Sequence, residues 1–166
     1  VTSFVDSKQR ELTQEEIIEI AARETGGKYT AEQVKASLTA EAYEMGALMM
    51  RQGNTIFVVH QDKSNPTVAI FRAINADVLP NYLQNCIEFT KAVGLMGFKY
   101  LITQFHDESL LKIFEYVRRH QPFKNMGYEA NRTVDGGYQV VVTLGDTPRV
   151  KMVEEQKKFV AKKGKK

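Results

Sequence analysis

The spacing of apolar residues along this chain changes several times, and each change marks an element. Ile17, Ile18, Ala21 and Ala22 form a short stripe at helical spacing, preceded by Thr13 and Glu16 in the pattern of a capping box. Gly26 and Gly27 close that helix. A second capping box, Thr30 with Gln33, opens a longer stripe. Val34, Leu38, Ala42, Met45, Leu48 and Met49 recur at steps of three and four, predicting one amphipathic helix that ends near residues 51–53. The period then shortens. Residues 55–60 are a β-branched and aromatic run, 62–66 a turn cluster, and 67–74 a second run, which together read as a β-hairpin.

Pro80 suits the first turn of a helix, whose face carries Tyr82, Leu83, Cys86, Ile87, Phe89, Thr90 and Val93 and which closes at Gly94 and Gly97. Residues 100–105 read as a buried strand. Asp107 caps a further helix with Leu110, Leu111, Phe114 and Val117 on its apolar face, ended by Pro122. Residues 128–134 and 138–144 flank Asp135-Gly136-Gly137, a tight hairpin signal. A last helix begins at 146–148 and runs into a lysine-rich end. The order is α-α-β-β-α-β-α-β-β. It predicts an α/β fold with a mixed sheet and helices on both faces. The expected organisation is an N-terminal arm over 1–13, one domain over 14–145, and a basic C-terminal helix or tail over 146–166.

Charge changes this picture only at the end of the chain. The net charge is +3, but from Lys151 onward seven lysines face two glutamates, so the basic character belongs to the tail. Lys157, Lys158, Lys162, Lys163, Lys165 and Lys166 are the candidate polyanion-binding residues, for contact with DNA or an acidic protein surface; the alternative is a solvated end. One cysteine, Cys86, excludes an internal disulfide. With three scattered histidines and no HxxxH or CxxC spacing, no metal site is expected. No apolar run reaches the ~18–20 residues of a membrane span. Residues 1–6 lack the basic start and apolar core of a signal peptide, so secretion is not expected and a cytoplasmic setting is.

The order of elements over residues 55–144 resembles the GNAT superfamily, the Gcn5-related N-acetyltransferases. The local match is Phe123-Lys124-Asn125-Met126-Gly127-Tyr128, similar to the YEKLGF-like string of that family, with the glycine and following aromatic in agreement. The resemblance implies an acetyl-CoA site in the turn after the hairpin's second strand, where a glycine-rich loop and a helix N-terminus hold the pyrophosphate. Here the matching stretch, 72–81, contains no glycine. Its residues Arg72, Asn75, Ala76 and Asp77 make a degenerate loop: Pro80 removes a donor and Asp77 adds a negative charge. Arg72 is either a remnant of the loop's first position or a solvent-facing strand residue.

The family's general-acid tyrosine falls on Phe123, or on Phe114 if the helix is aligned from its start, and a phenyl ring has no proton to give. Tyr116, His106 and Glu88 are the candidates left for proton transfer. His106-Asp107-Glu108 otherwise reads as a capped helix start, His60 as an exposed strand end, and Arg118-Arg119-His120 as a basic helix end suited to the dipole. Cys86 reads as a core residue. The expectation is a non-catalytic binding or structural protein without cofactor. It resembles degenerate GNAT-like proteins of tailed phages, which implies a virion-associated setting with virion proteins as partners. The alternatives are an acetyl-CoA-dependent N-acetyltransferase and a nucleic-acid-associated protein acting through the tail.

Overall fold

In the computed structural model, residues 11–24, 26–120 and 122–145 are described. The basic tail and most of the N-terminal arm lie outside them. Helices α1 (Gln14–Glu24) and α2 (Ala31–Glu44) come first. Strands β1 (Leu48–Gln52), β2 (Thr55–Gln61) and β3 (Val68–Asn75) follow. Then come α3 (Leu79–Leu95), β4 (Tyr100–Phe105), a short 3-10 turn (Glu108–Leu110) and α4 (Leu111–His120). The hairpin β5 (Gly127–Arg132) and β6 (Tyr138–Thr143) ends the described chain.

Both expected capping boxes form. Thr13 and Glu16 exchange bonds at 2.8 and 3.1 Å, and Thr30 and Gln33 at 2.9 and 3.1 Å. Each satisfies two backbone donors that a helix start leaves open.

The strands form one six-stranded mixed sheet in the order β1-β2-β3-β4-β6-β5. All neighbours are antiparallel except β3 and β4. The predicted α/β class, with helices on both faces, is present.

One element departs from expectation. The helix from Thr30 stops at Glu44, and residues 48–52 are a strand, so the order gains a third strand before α3. The reason is local. Gly46 and Gly53 both sit at positive φ, +69° and +56°, where other residues are strained. Gly46 ends the helix. Gly53-Asn54 is a two-residue turn that sets Gln52 opposite Thr55. Leu48 and Met50 then face one core cluster and Met49 the other, the period of a strand.

The sheet divides two cores. Ile56, Val58 and Ile74 pack with Ile17, Ile18 and Leu38 of α1 and α2. Phe57, Val59 and Ala69 pack with Phe89 and Val93 of α3 and with Val117 of α4. β2 is buried on both faces over 55–59, which explains its unbroken apolar run.

Candidate functional site

The parallel pair at the centre of the sheet is incomplete. β3 and β4 share three residue pairs, ending at Ile70 opposite Ile102, although β3 continues to Asn75 and β4 to Phe105. The ladders on either side show which backbone groups this leaves facing the gap. Bonds from the Asp62 N–H to the Val68 carbonyl and from the Ala76 N–H to the Asn54 carbonyl assign the even residues of β3 to β2. The odd residues therefore face β4. On the other side, the Leu144 N–H to Lys99 carbonyl bond assigns the odd residues of β4 to β6. Past the last pair, the Phe71 carbonyl and both backbone groups of Ala73 have no strand opposite. The same holds for both backbone groups of Gln104 on the facing edge.

Below the gap lies a cavity of about 210 Å³. Phe71, Phe89, Leu101, Phe105, Phe114 and Met126 form much of its wall. The rings brace one another. Phe89 stacks on Phe57 at 4.0 Å, and Phe105 lies 5.8 Å from Phe114. Two charged residues border it among the described residues, Arg72 and Arg118, but the Arg72 side chain turns to the other face of the sheet. Arg72 is ion-paired with Glu41 of α2. Arg118 is held by Glu115, with its Nε at 3.2 Å.

Polar groups within the wall are also matched. The Thr90 hydroxyl donates to the Cys86 carbonyl at 2.7 Å. Burial pushes the Cys86 thiol up to about 12, against a smaller opposite effect of its hydrogen bond with Tyr82. Burial raises the Tyr82 phenol as well, and Cys86 adds to that. Cys86 is thus a buried thiol packed in the core.

The turn after β3 is filled. The Asp77 carboxylate accepts from the Asn54 N–H at 2.8 Å, the Asn54 side-chain amide at 3.0 Å and the Asn85 amide at 2.7 Å. The Asp77 N–H donates to the Asn75 side chain at 2.9 Å, and Ala76 donates to Asn54 at 3.0 Å. Thr55, fully buried, donates to Asn75 at 2.8 Å and accepts from Asn85 at 2.9 Å. Asn54 further accepts from the Leu12 N–H at 2.8 Å and from Arg51 at 2.9 Å. A methyl at Gly53 would come within 2.6 Å of the Asn85 side chain, so the turn has no spare room. The donors of Ala76 and Asp77 face inward onto this network, and a carboxylate sits among them.

The residues left for proton transfer are not brought together, and none lines the cavity. Tyr116 stacks on His120 at 4.1 Å. His106 is bound to Asp135 across the last hairpin at 3.1 Å. Glu88 accepts from Gln84 at 2.9 Å on the surface of α3. Of the two aligned phenylalanines, Phe114 lines the cavity and Phe123 is buried against Gly94 of α3. Asp107 caps the 3-10 turn through Ser109, as its position suggested. The lysines of the tail lie outside the described residues.

One expectation changes, at His60. His60 is half-buried, not exposed: its Nε2 lies 2.9 Å from Glu41, because β2 runs beneath α2. Arg72 is exposed, yet its guanidinium is tied to that same carboxylate. Burial alone would raise the Glu41 carboxyl; the hydrogen bonds and charges of Arg72 and His60 outweigh it and hold the group below its usual value. The basic end of α4 is also engaged. Arg118 and Arg119 both bind Glu115, and the His120 Nδ1 bonds the Tyr116 carbonyl at 2.8 Å.

Among the described residues, no three metal-ligating side chains cluster, and no helix is long and apolar enough to cross a membrane. No family model matches the sequence, and no curated protein matches it. Among solved structures the chain is similar to an acetyltransferase of the GNAT family from Streptococcus pneumoniae. The two are 14% identical with a TM-score of 0.38, over 72% of this chain and 78% of that one. Likeness at that level says nothing of a site.

Proposed function

We propose that this protein acts by binding, not by acyl transfer, as a structural or accessory component of a larger protein assembly. The observation that carries this reading is the filled turn over residues 75–77. A pyrophosphate cradle needs converging N–H groups and positive potential. In this turn the Ala76 and Asp77 donors are engaged within the fold, and the Asp77 carboxylate lies among them. The second support is that phenylalanine stands at both positions aligned with the family's acid, Phe114 in the cavity wall and Phe123 buried against α3. A tailed-phage virion is the assembly we favour, on the resemblance of residues 55–144 to degenerate GNAT-like phage proteins.

A second reading, an acetyl-CoA-dependent N-acetyltransferase, draws on the open gap between β3 and β4 and the cavity below it. Thermal shift and calorimetry with acetyl-CoA decide between them. A ligand at 100 times its Kd stabilises the native state by about 2.7 kcal/mol. We expect no stabilisation at 100-fold the micromolar range. A shift at micromolar acetyl-CoA, with turnover on an amine, would establish the enzyme instead.

A further inference from the structure

We infer that the gap between β3 and β4 receives an extended segment of a protein partner, which pairs with both strands and sets one uncharged apolar side chain into the cavity. This rests on the reading that the cleft binds and does not catalyse.

The backbone makes the first part of the case. Sheets normally carry unpaired donors and acceptors only at their outer edges. Here two such edges face each other inside the sheet. Phe71 and Ala73 stand on one side and Gln104 on the other, past the last β3–β4 pair. Donors and acceptors alternate along both, which is the complement of an extended polypeptide. A ligand with a single hydrogen-bonding group would leave most of them unmatched.

The cavity makes the second part. A dry apolar cavity of about 150 Å³ is enough for benzene, so the 210 Å³ here accommodates a phenylalanine or leucine side chain. Its charged margin selects against a charged occupant, since Arg118 is already neutralised by Glu115. An incoming carboxylate would have to displace that pair, and an incoming ammonium would meet the Arg118 guanidinium.

The approach is the third part. Val78 and Leu79, where the chain leaves β3 for α3, are 53% and 61% exposed. They add exposed apolar surface beyond the end of β3, next to a turn whose Ala76 and Asp77 donors are already engaged and which carries the Asp77 carboxylate. A neutral strand with an apolar anchor fits that combination, and a phosphate-bearing ligand does not.

Amide hydrogen exchange on the full chain, with peptides from a random seven-residue displayed library as probe, tests the inference. In the free protein, Ala73 and Gln104 should exchange at least tenfold faster than Arg72 and Thr103, their neighbours paired to β2 and β6. Selection should enrich peptides with a central aromatic or branched aliphatic residue, and a synthetic copy should slow Ala73 and Gln104 at least tenfold. Thr103 faces the cavity and is buried. Thr103→Leu should therefore weaken the peptide at least tenfold, while Thr103→Val should not. No enrichment, or a bound peptide that leaves both amides fast, would overturn the inference, whether or not Thr103→Leu folds. If acetyl-CoA slows the two amides and no peptide does, the binding-only reading falls with it; if neither ligand acts, only the strand-insertion inference falls.

Discussion

The turn over 75–77 and the gap at Phe71–Ala73 lie within one strand of each other, yet they treat polar groups in opposite ways. In the turn, Asn54, Thr55, Asn75, Asp77 and Asn85 match one another internally. In the gap, backbone groups meet no strand, and the wall beneath is rings and aliphatics. The turn is a fastening that joins the β1–β2 turn to α3 through Asp77.

The largest expected effect lies on the apolar side. Phe89 is 2% exposed and stacked on Phe57. Phe89→Ala should cost about 4 kcal/mol in urea unfolding, the transfer and cavity terms together. A loss under about 2 kcal/mol would mean the wall collapses into the existing space, and the cleft would then be soft instead of braced.

On the polar side, Asp77→Ala removes the acceptor for three donors of Asn54 and Asn85. We expect a loss of about 3 kcal/mol, since each buried donor left alone carries a desolvation penalty. If the loss is only a few tenths, water fills the turn readily, and the fastening contributes little to stability. The sharper reading comes from exchange: Asp77→Ala should speed the Ala76 amide while leaving Ile56 unchanged. Tyr82→Phe tests the boundary between the two regions. It removes the phenol beside the Cys86 thiol, and should cost about 1 kcal/mol or less. The Cys86 thiol should stay unreactive to an aromatic disulfide reagent at pH 8 until urea unfolds the chain, in the variant as in the parent.

The apolar region was legible in the sequence, and the polar one was not. Phe57, Phe89, Val93 and Leu101 reveal themselves by period, because burial on one face needs only local spacing. The fastening depends on partners 23 and 8 residues from Asp77, brought together by the register of β2 on β3. From the sequence, Asp77 is only a charge in the wrong place. The gap was hidden for the same reason, since where a parallel pair stops is a property of two strands. β1 was misread because Met45, Leu48 and Met49 continue the helical spacing of α2 by coincidence. Gly46 and the Gly53-Asn54 turn carried the signal that outweighs it. His60 looked exposed because nothing nearby in sequence shows that Glu41 lies above it.

The rim of the cleft yields the smallest effect and the clearest sign. Glu115 is bound by Arg118, with further bonds from Tyr128 and Arg119 at 3.2 and 3.4 Å. The Arg118 hydrogen bond is the largest cause that draws its carboxyl down to about 2, from an ordinary 4.5. A carboxyl lowered in the folded state contributes stability that is complete above its unfolded value and fades as pH falls through its folded one. Glu115→Gln should therefore be less stable than the parent at neutral pH, with the difference closing between about pH 5 and pH 2. Asp135, also held at about 2 by Thr133, Gly137 and His106, loses its own contribution over the same window. That loss is common to parent and variant, so it cancels in the difference and leaves the Glu115 term exposed. A gap that stays constant down to pH 2 would place Glu115 among side chains whose charge does not matter. Arg118 would then be free to meet an anionic occupant, and the argument for a neutral one would lose its support at this margin.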